Sequence, residues 1–264
     1  MPLTQQECAA AIADHSRGFA DAAAGNLDAE VEFCPGWTVR DVVHHLTRVQ
    51  WFWATLVEDR HAERPDDLEE PEPAGDETAL AVFRSGAERL VRVLGEADPS
   101  IRVWTWAPSQ QTAAFVIRHQ VQEAVGHHWD VAHAAGGTVR IDPAVGADAV
   151  DEFLQVSVSN ADDAADAAAG KDALPAPLEG RLGLACVDSD AAWLVTDGSV
   201  PGTATVTPTT RADLDADGVP TVTGTGGQLL LWLYGRHGDP TGDADAGALD
   251  PDLLERFRGL CFTD

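Results

Sequence analysis

Cys34-Pro35-Gly36-Trp37-Thr38-Val39-Arg40-Asp41-Val42-Val43-His44-His45-Leu46 reads as a turn that runs into a helix. Pro-Gly is turn chemistry, and Thr38 followed three residues later by Asp41 has the spacing of a capping box at a helix start. Beyond it Val42, Val49, Phe52, Trp53 and Leu56 fall at helical spacing, so the helix carries an apolar stripe. His45 projects along the line of Val49, Phe52 and Leu56, at the middle of that stripe. His44 points about 100° away, toward Arg48, Thr55 and Asp59, and is expected in solvent. A histidine centred on a core face needs a partner, because a buried imidazole left unsatisfied costs on the order of 1–3 kcal/mol. An ordinary hydrogen bond would meet that need, and so would a metal ion.

Outward from this helix, the first 140 or so residues alternate helical patterns with breaker-rich loops. Residues 4–24 suit a first helix, 77–95 a third, and a fourth runs from about Gln111, after Pro108, to Ala135 before Gly136-Gly137. Between the second and third, Arg64-Pro65 to Gly75 holds acids and three prolines and reads as a solvated loop. Four helices joined by such loops predict a helix bundle over residues 1–142. The pattern then changes. Asp148 to about Asp166 reads as one more helix, followed by a flexible Ala/Gly/Pro-rich segment, Ala167–Gly180. Strand-like pieces follow at Leu184–Val187, Ala191–Thr196 and Ala204–Thr207, with helices at Gln228–Tyr234 and Pro251–Arg258. Residues 143–264 are therefore expected to form a small α+β domain.

The fourth helix bears the second chemical feature. Glu123 and His127 are four apart and share one face, with His119, Gln120 and Asp130 on the same side, flanked by Phe115, Ile117, Val121 and Val125. A helix with one face in water shows the same pattern. An E-x-x-x-H helix facing an inward histidine across a bundle is, however, a natural divalent-metal site. Two imidazoles and a carboxylate fill three positions of a zinc-like ion and leave the next open for water or substrate. There is no H-E-x-x-H pattern, so a protease reading has no support.

Charge and cysteine usage narrow the partners. With 44 acidic against 17 basic residues, a net charge of −27, the surface repels phosphate backbones and anionic headgroups, which excludes nucleic acid and membrane surfaces as partners. Cys8, Cys34, Cys186 and Cys261 are scattered, with no C-x-x-C pair, so neither a zinc ribbon nor a disulfide framework is indicated. The N-terminal residues show no basic stretch followed by an apolar one, and no apolar run approaches the roughly 20 residues a bilayer span needs. The chain reads as cytoplasmic, a monomer or weak homo-oligomer acting on a small molecule.

Residues 34–46 strongly resemble the N-terminal signature of the mycothiol-dependent maleylpyruvate isomerase family, a DinB-like four-helix bundle. Trp104-Thr105-Trp106 and Gln122-Glu123-Ala124-Val125-Gly126-His127-His128-Trp129-Asp130 resemble its fourth-helix signature. Val222-Thr223-Gly224 and Leu229-Leu230-Leu231-Trp232-Leu233-Tyr234-Gly235-Arg236 resemble the end of its sterol-carrier-like C-terminal domain. Gln122 and His128 depart from the residues common there, neither at a ligand position. The resemblance implies a divalent metal, zinc by preference, on His45, Glu123 and His127, with mycothiol as the thiol cofactor. It further implies that Arg236 holds a substrate carboxylate through its planar guanidinium; capping the preceding helix beside Gly235 is the other reading of that residue. The implied reaction adds a metal-activated thiolate to the alkene of an unsaturated acid. Rotation and elimination then give the trans isomer. Transfer of the thiol to an electrophile and non-catalytic ligand binding are the alternatives that keep the same site.

Overall fold

The chain divides into two units, Met1–Arg140 and Ile141–Asp264, in a computed structural model that describes residues 2–66, 68–159, 175–200, 202–236 and 249–261. The first unit holds α1 (Gln5–Ala23), α2 (Val39–Glu58), α3 (Asp76–Glu96) and α4 (Ala113–Ala134), the expected bundle. Local chemistry sets the helix starts. Thr4 and Glu7 close a capping box on α1, with the Thr4 N–H donating to Glu7 Oε2 at 2.8 Å. On α2 the Asp41 carboxylate accepts from the Thr38 N–H and hydroxyl at 2.8 and 2.7 Å.

α4 packs against α1, α2 and α3, and its surroundings correct the simple picture of a polar seam in water. His119, Gln120, Gln122 and Asp130 are all buried together with the apolar face, so α4 is enclosed nearly all round, as a central helix is. Phe19, Val42, Val43, Leu46, Phe83 and Val131 belong to one core cluster, with the Phe19 and Phe83 rings 4.6 Å apart. On α2 the buried line runs through Val39, Val42, Val43, Leu46, Gln50, Trp53 and Val57. Val49 and Phe52 are only half-buried. Val42, Trp53 and Leu56 of the stripe read from sequence are buried, and its Val49 and Phe52 lie toward one edge of the core face. His45 stands at that edge, its side chain 25% exposed, where the core gives way to space a ligand could enter.

The second unit opens with α5 (Pro143–Phe153), which starts at Pro143 rather than at Asp148 because the Asp142 carboxylate caps it and proline is well placed in a first turn. It continues as a π-helical turn, Leu154–Val158. The rest of the helix expected up to Asp166 lies outside the described residues, as does most of the Ala167–Gly180 segment. β1 (Arg181–Cys186), β2 (Ala192–Asp197), β3 (Ala204–Thr209) and β4 (Thr221–Gly224) form one sheet in the order β3-β2-β1-β4. β1 runs antiparallel to β2 and parallel to β4, pairing Leu184 with Trp193 on one side and Val222 on the other. Between β3 and β4 lies α6 (Arg211–Ala216); α7 (Gly226–Leu233) and α8 (Pro251–Leu260) follow. β4 and α6 escape a reading by periodicity, being only four and six residues long.

α5 and α7 meet backbone to backbone. A Cβ placed on Gly146 would lie 2.5 Å from the Gly227 nitrogen and 2.6 Å from the Gly226 carbonyl carbon, and neither backbone can yield as a side chain would. Gly146→Ala is therefore expected to destabilise the second unit by about 1–3 kcal/mol or more. Denaturant unfolding checks this; an unshifted transition would show that the two helices do not depend on this contact.

Candidate metal centre

Glu123 is the residue around which this site is arranged. Its carboxylate oxygen Oε2 is fully enclosed and has no hydrogen-bond partner, an expensive condition for a charged group. Two imidazole nitrogens face it. His45 Nε2, from α2, lies 3.9 Å away, and His127 Nε2, one turn further along α4, lies 3.7 Å away. Both distances are too long for hydrogen bonds. The His45 and His127 rings stand edge to face, centroids 5.1 Å apart. One ligand atom from each of the three residues lies within 4.8 Å of the others. Around a tetrahedral zinc such atoms would be separated by roughly 3.4 Å, given metal–ligand bonds near 2.1 Å. Two imidazoles converging on an unpaired buried carboxylate oxygen therefore fit a divalent cation, with only a small contraction.

Burial by itself would raise the Glu123 pKa, but the imidazoles of His45, His127 and His119 outweigh it and hold the carboxyl at about 2. In its ionised form Glu123 presents a ready ligand oxygen. The orientation of His127 is also fixed from behind. Its Nδ1 lies 3.0 Å from Asp130 Oδ2, and the Asp130 side chain is completely buried. A carboxylate only accepts, so the proton sits on Nδ1 and the Nε2 lone pair faces Glu123.

His45 has its own support, since the Trp37 ring packs edge-on against it at 5.3 Å. His45 and Trp37 also line a cavity of about 500 Å³ with Asp41, His44, Arg48 and the loop Glu70–Ala74. His44 is therefore half-buried on a cavity wall, not free in solvent as expected. It remains apart from the convergent trio.

The other α4 residues take different roles. His119 is buried with its ring stacked on Phe115 at 5.2 Å and edge-on to Trp106 at 5.5 Å. His128 turns away toward α1, where its Nδ1 lies 3.0 Å from His15 Nδ1, above Gly18. Burial, then the neighbouring His15, pull the His128 pKa down to about 4, so it is neutral at physiological pH. In the second unit the Arg236 N–H donates to the Leu231 carbonyl at 2.8 Å and the Gly235 N–H to Trp232 at 2.9 Å, with Gly235 at φ +70°, which closes α7 in a Schellman motif. The Arg236 guanidinium donates to the Tyr234 carbonyl at 3.2 Å and lies 5.2 Å from the centre of the Tyr234 ring. The backbone of Arg236 thus does the capping, while its guanidinium is held against Tyr234.

Removing a ligand should cost more than the 10–100-fold in affinity lost when a supporting residue goes. His45→Ala, Glu123→Ala and His127→Ala are each expected to weaken zinc binding at least about 100-fold, while His44→Ala stays within a few-fold of the parent. Calorimetric titration of the metal-free protein measures this. Equal affinity in all four variants would remove the site.

Comparison with known proteins bears on the fold and the family. No curated protein matches the chain significantly. A solved structure described as the mycothiol-dependent maleylpyruvate isomerase is similar over 94% of this chain and 96% of that one, with a TM-score of 0.57 and 14% identity. A histidine-to-alanine mutant of that enzyme matches over the same shares with a TM-score of 0.59, again at 14% identity. At this identity the likeness establishes the fold, from the bundle through the α+β unit. The family model for the mycothiol maleylpyruvate isomerase N-terminal domain matches residues 8–132, which contain the turn before α2, His45, Glu123 and His127. Residues 8–132 are thereby assigned to the N-terminal domain of the mycothiol maleylpyruvate isomerase family.

Proposed function

We propose that this protein is a metal-dependent, mycothiol-using enzyme, and that its reaction is a cis–trans isomerisation of the maleylpyruvate type. The observation that carries the metal part is the enclosed, unpartnered Oε2 of Glu123 between two imidazole nitrogens. The thiol and the reaction type are supported by the family model matched over residues 8–132 and by a fold shared with a mycothiol-dependent maleylpyruvate isomerase. A zinc ion in this site would supply Lewis acidity, holding a bound thiol as its thiolate at neutral pH.

The chain's own residues then divide the work. His45 and His127 donate as neutral imidazoles, and Glu123 contributes one negative charge. A divalent ion on this set keeps one net positive charge, which a single thiolate neutralises. That local surplus matters in a protein of net charge −27, whose field would otherwise repel an anionic sulfur. The cavity beside His45 is the space we assign to the body of the thiol. Arg236 is the cation we assign to the substrate carboxylate. Only 17 residues of the chain are basic, and this guanidinium is half-buried, where its charge is less screened than at the surface.

The test is turnover of a cis-unsaturated keto diacid by zinc-loaded protein with mycothiol. The trans isomer is the expected product, with the thiol regenerated. Arg236→Ala should keep its metal and melting temperature while kcat/KM falls about 10–100-fold, the scale of a lost charge-assisted hydrogen bond. Arg236→Lys should recover part of it, because the point charge returns without the planar fork. Accumulation of a stable thiol adduct would point to transfer instead. Full activity in Arg236→Ala would remove the residue from the mechanism.

A further inference from the structure

The turn before α2 does more than start a helix. Cys34 and Trp37 are its first and fourth residues, and the Trp37 N–H donates to the Cys34 carbonyl at 2.9 Å. Pro35 occupies the second position and Gly36, at φ +84°, the third, the arrangement of a type II turn. Its flanks are closed as well. The Val31 N–H donates to the Trp37 carbonyl at 2.9 Å, and Glu30 bridges Thr38. Phe33 packs on Trp129 of α4, ring centroids 5.4 Å apart. The spacing between Cys34 and Trp37 is therefore fixed by the backbone, and the turn is anchored to α4.

From this frame two side chains reach the two imidazoles. Trp37 lies edge-on to His45. Cys34 Sγ lies 3.9 Å from Asp130 Oδ2, the same oxygen that accepts from His127 Nδ1 at 3.0 Å. Asp130 is fully buried, so its oxygens must be satisfied by the donors around it. A thiol donating to that oxygen helps hold the carboxylate in place behind His127, which keeps the Nε2 edge of the ring directed at Glu123. Cys34, Asp130 and His127 also form a second group of potential ligand atoms. In that group, however, the His127–Asp130 contact is already an ordinary hydrogen bond, whereas the Glu123 oxygen lacks one.

We propose that this turn is a brace for the metal centre, with Asp130 and Cys34 as positioning residues for His127 and Trp37 as the positioning residue for His45. The proposal rests on the metal reading above. Neither Cys34 nor Trp37 is a ligand in it; each sets the direction of one imidazole, Cys34 through Asp130. One rigid turn thereby fixes the mutual angle of two ligands that come from different helices.

Titration of the metal-free full chain with cobalt(II), followed by its visible absorption, tests this without any substrate. Asp130→Asn should bind cobalt about 10–100-fold more weakly, with altered ligand-field bands. Cys34→Ala should weaken binding about 2–10-fold, as loss of one hydrogen bond does, and Cys34→Ser should restore it. In the Asp130→Asn background, Cys34→Ala should add nothing, whereas Trp37→Leu should add its own loss to that of Cys34→Ala. Metal-free melting temperatures should stay at the parent value in Cys34→Ala and Trp37→Leu. Parent affinity and spectrum in Cys34→Ala and Trp37→Leu, equal loss in Cys34→Ala and Cys34→Ser, or a metal-free melting temperature that falls with affinity would each overturn the brace. A parent chain that takes up no cobalt would overturn the metal reading itself.

Discussion

A buried carboxylate oxygen with nothing to accept from is the constraint that organises the N-terminal unit. Glu123 sits on the central helix of a bundle, where an unpaired charge is normally selected out or satisfied by an arginine or lysine. Here the groups that face it are imidazoles, whose nitrogens stand 3.9 and 3.7 Å away, beyond hydrogen-bond distance. Such an arrangement makes sense when a cation occupies the space between them. The rest of the unit follows. α4 must be enclosed to bury Glu123, α2 must pass close enough to bring His45 opposite, and the side of His45 away from the core must stay open for a ligand. The intermediate exposure of His45, Glu123 and His127, at 25%, 22% and 12% for the side chains, agrees with that compromise.

The electrostatics divide into a global and a local part. The acidic surface disfavours anionic macromolecules, and its influence reaches only about a Debye length through salt water. Inside the bundle the balance is set by a few groups. Burial lowers the pKa of both His15 and His128, and that of His128, brought to about 4, leaves it uncharged at neutral pH. Asp130 accepts from His127 Nδ1 from behind, which strengthens the imidazole as a donor.

Much of this was legible from residue patterns. The start of α2 was marked by Thr38 with its acid three residues on, and the i, i+4 pair on α4 together with an inward histidine on α2 pointed to the trio. What periodicity could not convey was depth. Whether His119, Gln120 and Asp130 face water or core depends on α1 and α3 closing over α4, which no local pattern encodes. The contact between Cys34 and Asp130 spans 96 positions, so its only local trace was a Pro-Gly turn of fixed shape. Short elements were lost for a related reason. β4 is held by its parallel pairing with β1, and α6 by one cap from Thr210. The start of α5 was misplaced because the capping role of Asp142 outweighed the apolar pattern downstream.

Two donor groups in the bundle share His127, one through Glu123 and His45, the other through Asp130 and Cys34. They differ in a property that can be observed directly, the presence of protein sulfur. X-ray absorption at the zinc edge of the loaded protein, with no thiol added, should show a shell of nitrogen and oxygen at about 2.0–2.2 Å that includes two imidazoles. That shell is the account's central claim in measurable form. A sulfur scatterer at about 2.3 Å, lost in Cys34→Ala, would contradict it and move the metal to the other side of His127.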